Sequence, residues 1–244
     1  MSMADPLVAV SGLAKSYAGR AVVAGVTMTV NAGEIVGLVG ANGGGKTTTL
    51  RMIAGLLRAD AGSGTVLGQP IGTADTQQRR QIGYMGQKIA LYPDLTVIET
   101  LRFHAAVHGL ARPGQAIDGA LDRYGIGRVA RQRCGTLSGG WARRVQFAAT
   151  ALAEPRLLLL DEPTAGLDVA TRRDIWRWME EFARAGHGVV ISTHDLSEAE
   201  HCPSILLYHG GTARAQATPR AIAEAEGAVS LEAAVLSIAD RAAA

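Results

Sequence analysis

A glycine-rich segment ending in Lys46 and Thr47 has the residue types that bind phosphate groups. It fits the pattern of glycine, four residues, glycine, lysine and then serine or threonine. Glycines let main-chain N–H groups turn toward phosphate, Lys46 can meet the β and γ phosphates, and the Thr47 hydroxyl can bind Mg²⁺. The candidate phosphate-binding residues are Gly40, Ala41, Asn42, Gly43, Gly44, Gly45, Lys46, Thr47 and Thr48.

A glycine turn that binds nothing is the alternative interpretation of this segment. The 30 glycines of the chain make such turns more frequent than average. Lysine is rare, however, because Lys46 is one of only three lysines, with Lys15 and Lys88. A lysine at the position where a phosphate loop requires one therefore favours phosphate binding.

Two adjacent acids, Asp161 and Glu162, directly follow the apolar run Leu157 to Leu160. Ligands of parallel sheets are held at the edge where such strands end. Asp161 would hold the Mg²⁺ shell through water, and Glu162 would act on the water that attacks the γ-phosphate. Strand-end acids are also common as helix caps or surface residues. The phosphate loop makes the catalytic interpretation the favoured one.

A second candidate anion site is the segment Leu137, Ser138, Gly139 and Gly140, which precedes a helical stretch. Ser138 can cap the helix, and the amides of Gly139 and Gly140 can face a phosphate. A plain capped helix contains the same residue types. The segment alone leaves both interpretations open.

The elements that must position these residues begin with two strands, Leu7 to Val10 and Val22 to Val30, whose alternation indicates a half-buried antiparallel sheet. The continuous apolar run Ile35 to Val39 predicts a strand that leads into the phosphate loop. A helix is predicted from Lys46 to Leu57. Strand, glycine loop and helix form a βα unit.

The runs Leu157 to Leu160 and Val189 to Ser192 predict parallel strands that are covered on both faces. Helical signals dominate between Ile98 and Leu152, which suggests a separate helical lobe. A later helix is predicted from Thr171 to Ala185, capped by Gly186. The apolar face of this helix consists of Ile175, Met179 and Phe182. The tail after Ala213 has no clear pattern.

Composition excludes several classes of protein. The 24 Lys and Arg residues nearly balance 22 Asp and Glu without a long basic run, so nucleic acid is not an expected partner. Cys134 and Cys202 fit neither a metal pair nor a disulfide framework and are expected to be buried thiols. No apolar run reaches the roughly 20 residues of a membrane span, and Met1 to Pro6 lacks a signal-peptide pattern. These features suit a cytoplasmic protein.

Six motifs, taken in order, resemble those of the ATP-binding cassette (ABC) family over nearly the whole chain. They are Gly40 to Thr48, Gln87, Leu137 to Gly140, Asp161 with Glu162, Asp168, and His194. The resemblance implies an ATPase that uses Mg²⁺, with an α/β P-loop NTPase fold of ABC ATPase type. It implies one domain over 1–244: a mixed parallel core sheet with an N-terminal antiparallel β subdomain (1–87 and 156–215), an inserted helical subdomain (88–155) and a C-terminal tail (216–244).

The resemblance also implies residue roles. Tyr17 would stack on adenine, Gln87 would join the Mg²⁺ and water shell, and His194 would contact the γ-phosphate as a catalytic switch, while Asp168 belongs to the loop after the acid pair. Each has a simpler alternative. Tyr17 could be a half-buried strand residue, Gln87 a loop amide, and His194 a helix cap beside Asp195.

Two such domains meet head to tail in the family that the chain resembles. Ser138, Gly139 and Gly140 would then close over the ATP held by Lys46 of a second copy. A homodimer is therefore expected, and each chain would supply two half-sites.

Four segments resemble the ATPase subunits of ABC-2 type exporters: Ile82 to Gln87, Leu91 to Val97, Leu137 to Trp141, and Thr164 to Asp168. Such subunits work with a separate membrane permease and lie on the inner face of the membrane. By this resemblance, Lys88 to Leu110 would form much of the groove for the permease's coupling helix. An importer subunit, or a soluble ABC protein acting on DNA or ribosomes, is the alternative.

The chain departs from the family pattern at two places. Trp141 stands where the most familiar signature has glutamine, which is expected to alter packing near the signature helix and not phosphate contact. Cys202, Pro203 and Ser204 stand where many relatives have an Asp-Arg pair after the histidine. This second departure concerns local loop contacts and not hydrolysis.

Overall fold

The computed structural model describes residues 5–73 and 75–243. The first four residues of the segment Met1 to Pro6, where no signal-peptide pattern was found, lie outside the described residues. The strands are β1 (Val8–Tyr17), β2 (Arg20–Val30), β3 (Ile35–Gly40), β4 (Ala61–Val66), β5 (Gln69–Pro70), β6 (Ile82–Met85), β7 (Leu157–Asp161), β8 (Gly188–Thr193), β9 (Ser204–His209) and β10 (Thr212–Ala213).

The helices are concentrated between β6 and β7 and after β7. They are α1 (Lys46–Ile53), α2 (Thr76–Arg80), α3 (Val97–His108), α4 (Pro113–Arg123), α5 (Gly139–Ala151), α6 (Val169–Arg184), α7 (Leu196–Ala199), α8 (Pro219–Ala225) and α9 (Leu231–Ala243), with 3₁₀ turns at Gly127–Val129 and Cys134–Thr136. Over the described ranges, none of these helices has the length and apolar character needed to cross a membrane.

In the part of the chain that the structure describes, ten strands form one sheet, in the order β5-β4-β1-β2-β10-β9-β3-β8-β7-β6. Strands β9, β3, β8, β7 and β6 are parallel, and every residue of β7 and β8 is buried, as continuous apolar runs predict. Strands β1, β2, β4 and β5 pair antiparallel. The predicted fold class is therefore confirmed, and the carboxyl ends of β3, β7 and β8 share one edge.

Strand β1 is longer than the predicted segment Leu7 to Val10 and extends to Tyr17. Its pairing with β2 shifts register after Val10, near Gly12, which has φ +66°. Only glycine adopts that conformation readily, so the bulge interrupts the alternating pattern on which strand prediction depends.

Helices α3, α4 and α5 lie between β6 and β7 in the chain. Tyr124, Phe147 and Trp178 join them to α6 as a buried aromatic cluster, with ring centroids 5.1–5.6 Å apart. The edge-on arrangement of Tyr124 against both partners is the favourable one for aromatic rings. This cluster packs the helical region against the sheet-bound helix α6.

Helix α1 ends at Ile53 and not at the predicted Leu57. Gly55 adopts φ +67°, its N–H donates to Met52 O, and the Leu56 N–H donates to Arg51 O. These two bonds form the glycine-terminated helix end that satisfies the last carbonyls. The apolar pattern continues past Gly55, which is why the pattern alone overestimates the helix.

Helix α6 begins two residues before the predicted Thr171, because the Asp168 side chain accepts from the Thr171 N–H at 3.0 Å and caps the helix. Its predicted apolar face is buried, and Gly186 ends it with φ +92°. The unassigned tail folds into α8 and α9. Leu231, Ala234 and Ile238 of α9 join the main core.

Both cysteines are buried, as expected, and Cys202 explains part of the second departure from the family pattern. A Cβ atom at Gly37 in β3 would lie 2.9 Å from Cys202 Sγ, so the thiol occupies space against that strand. Ser204 begins β9, and its Oγ accepts from Gln216 Nε2 at 2.9 Å. The segment is thus part of the packed fold.

Cys202 is expected to resist alkylation in the folded protein. Burial raises the pKa of its thiol to about 12, so little thiolate exists at pH 8. Iodoacetamide followed by mass spectrometry should leave Cys202 unmodified in native protein and should modify it in urea. Rapid native labelling would contradict this packing.

Candidate active site

The phosphate loop connects β3 to α1 and requires glycine at two places. A Cβ atom at Gly40 would lie 2.4 Å from the Tyr208 carbonyl oxygen, and one at Gly45 would lie 2.6 Å from the Val22 carbonyl oxygen. Gly45, with φ +103°, also precedes the first residue of α1. The loop is therefore pressed against β9 on one side and β2 on the other, where no side chain fits.

Gly45→Ala is expected to destabilise the fold more than Gly43→Ala. Both positions have positive φ, which costs an alanine roughly 1–2 kcal/mol. Gly43 has open space around its Cβ position, whereas Gly45 adds the clash with Val22, for a total of roughly 2–5 kcal/mol. Urea unfolding of both variants measures the difference. Equal free energies of unfolding would show that the loop relaxes away from β2.

Lys46 is buried at the start of α1. Its Nζ donates to the carbonyl oxygens of Gly40 at 2.6 Å and Ala41 at 3.0 Å. Burial lowers the pKa of Lys46, and the nearby carboxylates of Glu162 and Asp161 oppose that effect. The ammonium group thus lies inside its own loop, close to both acids.

Asp161 at the end of β7 is held by two hydroxyl groups. Thr47 Oγ1 donates to Asp161 Oδ1 at 3.0 Å, and Ser192 Oγ from β8 donates to the same oxygen at 2.6 Å. Asp161 and Ser192 thus lie together at the ends of two neighbouring parallel strands. The Thr47 hydroxyl and the Asp161 carboxylate are oxygen donors of the type that Mg²⁺ prefers.

Glu162 meets two other predicted residues. Its Oε2 accepts from Gln87 Nε2 at 2.9 Å, and its Oε1 lies 3.2 Å from His194 Nδ1. The three residues come from the ends of β6, β7 and β8, because parallel strands end at one edge of the sheet. Glu162 is buried, whereas half of the His194 side chain is exposed.

Glu162 also has a main-chain conformation that is unusual for a residue with a side chain, with φ +47°. Such a conformation costs about 1–3 kcal/mol and persists where the surroundings enforce it. The Glu162 N–H donates to the Ser192 carbonyl at 3.2 Å and to Ser192 Oγ at 3.0 Å. These bonds to β8 help to aim the carboxylate at Gln87 and His194.

A cavity of about 290 Å³ opens in front of the loop and brings most of the loop residues together with Gln87 and Glu162. It is lined by Val22, Asn42, Gly43, Gly44, Gly45, Lys46, Thr47, Thr48, Gln87 and Glu162. Tyr17 is not in this lining. It lies near the end of the β1–β2 hairpin, paired with Arg20 and 48% exposed.

The segment around His194 is held by an ion pair with α6. Asp195, and not His194, caps α7, since its side chain accepts from the Ser197 N–H at 2.9 Å. Arg172 of α6 pairs with Asp195 at 3.2 Å, and the buried Glu198 accepts from Thr193 Oγ1 at 2.8 Å. These bonds leave the His194 ring free to face Glu162.

The structure places Ser138, Gly139 and Gly140 away from the phosphate-loop cavity. Ser138 is the N-cap residue of α5, but its side chain forms no capping hydrogen bond, and Ser138 and Gly139 are exposed. Gly140 lies against α6, where a Cβ atom would come within 3.6 Å of Asp168 Oδ2. The Thr171 N–H and hydroxyl hold Asp168 there and lower the pKa of its carboxyl group.

Trp141 packs beside this segment. The Arg128 guanidinium lies 4.1 Å from its ring centroid, and Arg144 lies 5.4 Å from it on the same helix. Such contacts between a cation and an aromatic face are attractive. Trp141 is therefore packed between two arginines at the start of α5.

Arg143 is a site residue that the sequence analysis did not identify. It is buried in α5, and its guanidinium binds the main chain at Gly86, Gln87 and Glu162. Helical spacing offered one signal, since Arg143, Gln146 and Thr150 place polar groups at i, i+3 and i+7, on one face of α5.

Comparison with known proteins agrees with this geometry. The family model described as "ABC transporter" matches residues 23–165. The model described as "AAA domain, putative AbiEii toxin, Type IV TA system" matches residues 142–200. The first contains the phosphate loop, the start of α5 and the acid pair.

Curated relatives and solved structures are similar over most of the chain. The "Probable multidrug ABC transporter ATP-binding protein YbhF" of Escherichia coli (strain K12) is 40% identical over 91% of this chain, which spans only 39% of that relative. The "Nod factor export ATP-binding protein I" of Rhizobium sp. (strain N33) is 35% identical over 91% of this chain and 74% of its own length.

A solved "Structure of ATP binding subunit of ABC transporter" covers 94% of this chain and 98% of its own, at 31% identity and a TM-score of 0.86. The family resemblance predicted from the six motifs is confirmed by these matches. The chain therefore belongs to the ABC transporter family and is an ATP-binding member of it.

Proposed function

We propose that this chain is the ATP-hydrolysing subunit of an exporter, which couples ATP-driven closure of a homodimer to a separate membrane permease. The observation that carries the proposal is the convergence of Gln87, Glu162 and His194 beside Lys46. A carboxylate held next to a phosphate loop by an amide and an imidazole is arranged to act on a water at the γ-phosphate.

In this proposal, ATP enters the cavity with its β and γ phosphates on the loop. Lys46 exchanges its contacts with the Gly40 and Ala41 carbonyls for phosphate oxygens, which form stronger, charge-assisted hydrogen bonds. The N–H groups at the start of α1 face the same phosphates. Adenine stacks on Tyr17, whose exposed ring lies on the hairpin that also supplies Val22 to the cavity.

Mg²⁺ fits the donor set of this site. Thr47 and Asp161 present oxygen atoms 3.0 Å apart, and Gln87 has its amide oxygen available because its nitrogen donates to Glu162. Thr47, Asp161 and Gln87 would therefore hold the ion, Asp161 through water. When bound, Mg²⁺ neutralises charge on the phosphates.

Glu162 then acts as the general base. Its carboxylate takes a proton from the attacking water while the water oxygen bonds to the γ-phosphorus and the bond to ADP breaks. Gln87 Nε2 keeps the carboxylate in one orientation through Glu162 Oε2. His194 contacts the other carboxylate oxygen, Oε1 of Glu162. It also contacts the γ-phosphate, so its contacts differ between bound ATP and bound ADP.

A second copy completes each site. Ser138 and Gly139 are exposed, Gly140 is half-buried, and all three lie outside their own chain's cavity, so they are available to the ATP of a partner. Asp168 contacts the same region and lies at the expected interface. Closure of the pair moves the helical subdomain, residues 88–155, relative to the core of residues 1–87 and 156–215.

The permease would bind along Lys88 to Leu110. This stretch exposes several large apolar side chains, and Tyr92 and Phe103 stack edge to face with centroids 5.4 Å apart. Export is supported by the printed names of the relatives, which describe multidrug transport and Nod factor export. The chain would then lie on the inner face of the membrane, attached through the permease.

The test is co-purification from membranes in detergent, followed by identification of the bound membrane protein. A polytopic permease is expected to accompany the wild-type chain and to be lost with Phe103→Ala, whereas Leu236→Ala, at an exposed apolar residue of α9, should retain it. Both variants should bind ATP normally. Recovery of ribosomes or DNA instead would contradict the transport role, and dependence on a solute-binding protein would indicate import.

A further inference from the structure

Arg143 forms an unusual set of hydrogen bonds for a buried arginine, which is only 4% exposed. Its Nη1 donates to the carbonyl oxygen of Gly86 at 3.2 Å and to Gln146 Oε1 at 3.1 Å. Its Nη2 donates to the carbonyl oxygens of Gln87 and Glu162, both at 3.0 Å. One side chain of α5 thus binds three main-chain carbonyls from two other segments.

A buried cation is costly unless its hydrogen bonds and charge are compensated. Within the described ranges, no carboxylate oxygen forms a direct ion pair with Arg143. Burial lowers the pKa of Arg143, and Asp161 and Glu162 oppose that effect from a distance. The guanidinium is therefore held by carbonyl dipoles and by the field of the two site acids.

Two of the three carbonyls belong to Gln87 and Glu162, whose side chains meet at the reaction site, and the third belongs to Gly86, the residue before Gln87. Gln87 lies in a segment without helix or strand, and Glu162 has the costly positive φ. Ser192 holds the N–H of Glu162, and Arg143 holds its carbonyl. The hydrogen bond of 2.9 Å from Gln87 Nε2 to Glu162 Oε2 thus joins two residues whose main chains are both bound by the Arg143 guanidinium.

We propose that Arg143 is a positioning residue for hydrolysis, which sets the separation of Gln87 and Glu162 through their main-chain carbonyls. The proposal rests on the role of Glu162 as general base. It also gives a coupling route within one chain. Ser138 is the N-cap residue of α5, so a partner's ATP that binds Ser138 to Gly140 can shift Arg143, and with it the Gln87 and Glu162 of the same chain.

If Arg143 acts by positioning, its planar guanidinium is needed and a positive charge alone is not enough. Arg143 uses four N–H groups on four acceptors, whereas a lysine ammonium is a single point with three. Arg143→Lys keeps the charge but cannot hold the carbonyls of Gly86, Gln87 and Glu162 at their present spacing. A displacement of about 1 Å in a catalytic group is enough to lower a rate by about 10²-fold.

The experiment compares Arg143→Lys with Arg144→Lys, a change at the next residue of α5, where the side chain pairs with Asp174. ATP binding is measured by titration with a fluorescent analogue, and single-turnover rates are normalised to bound nucleotide. Arg143→Lys should bind ATP with unchanged Kd and hydrolyse it about 10²-fold more slowly. Arg144→Lys should match the wild type in both.

A double variant tests whether Arg143 acts through Glu162. Arg143→Lys combined with Glu162→Gln should be no slower than Glu162→Gln alone, because residues that act as a unit are not additive. Wild-type turnover in Arg143→Lys, or additive losses in the double variant, would overturn the proposal. So would loss of ATP binding together with a lower unfolding midpoint, which would assign Arg143 to stability. Normal turnover in Glu162→Gln would instead overturn the proposed base.

Discussion

Glu162→Gln is expected to bind ATP with normal affinity and to hydrolyse it about 10³-fold more slowly than the wild type, the middle of the range for loss of a general base. Glutamine has the same shape and can still hydrogen-bond Gln87, but it cannot take a proton from water. The phosphate loop is unchanged, so binding persists. Phosphate release measures kcat, and titration with a fluorescent ATP analogue measures Kd.

Glu154→Gln is a matched control for this variant. Glu154 also has positive φ, at +46°, but its side chain is largely exposed and lies outside the cavity. The same chemical change there should leave kcat unaltered. Wild-type kcat in Glu162→Gln would remove Glu162 from the mechanism.

Lys46→Ala is expected to abolish tight ATP binding. The change removes the only lysine that lines the phosphate-loop cavity. Loss of charge-assisted bonds to two phosphates costs roughly 3 kcal/mol or more, which is about a 10²-fold rise in Kd. Titration calorimetry with ATP and Mg²⁺ measures the effect.

The fold must be monitored in the same experiment, because Lys46 is buried and binds the carbonyls of Gly40 and Ala41. Circular dichroism and the unfolding midpoint should show a folded protein. Arg220→Ala removes an exposed cation of α8 that pairs with Glu224, and it should leave the Kd for ATP as in the wild type. An unchanged Kd in folded Lys46→Ala would exclude Lys46 from phosphate binding.

Features that depend on a few consecutive residues were predictable. The phosphate loop follows from local sterics, since only glycine allows the φ values and close contacts found at Gly40 and Gly45. The parallel strands β7 and β8 follow from their unbroken apolar runs. Acids at the end of such a strand lie at the ligand-binding edge whatever the rest of the chain does.

Element ends were less predictable, because hydrophobic pattern does not record where hydrogen bonding stops. Gly55 ends α1 inside an apolar pattern, and Asp168 starts α6 two residues early. The tail forms α8 and α9 because Leu231 and Ile238 pack against a core surface formed by residues distant in the chain. Alanine-rich sequence shows little periodicity without that surface.

The chemical groups of the site could be read from the order of residues: a phosphate loop, an acid pair, an amide and an imidazole, in an order typical of one family. Which of their atoms meet depends on how the chain folds. Gln87, Glu162 and His194 lie 75 and 32 positions apart in the chain, yet contact within 3.2 Å. Arg143 binds three main-chain carbonyls, and every residue type has a carbonyl, so the polar spacing on α5 could indicate Arg143 but not the residues that it binds.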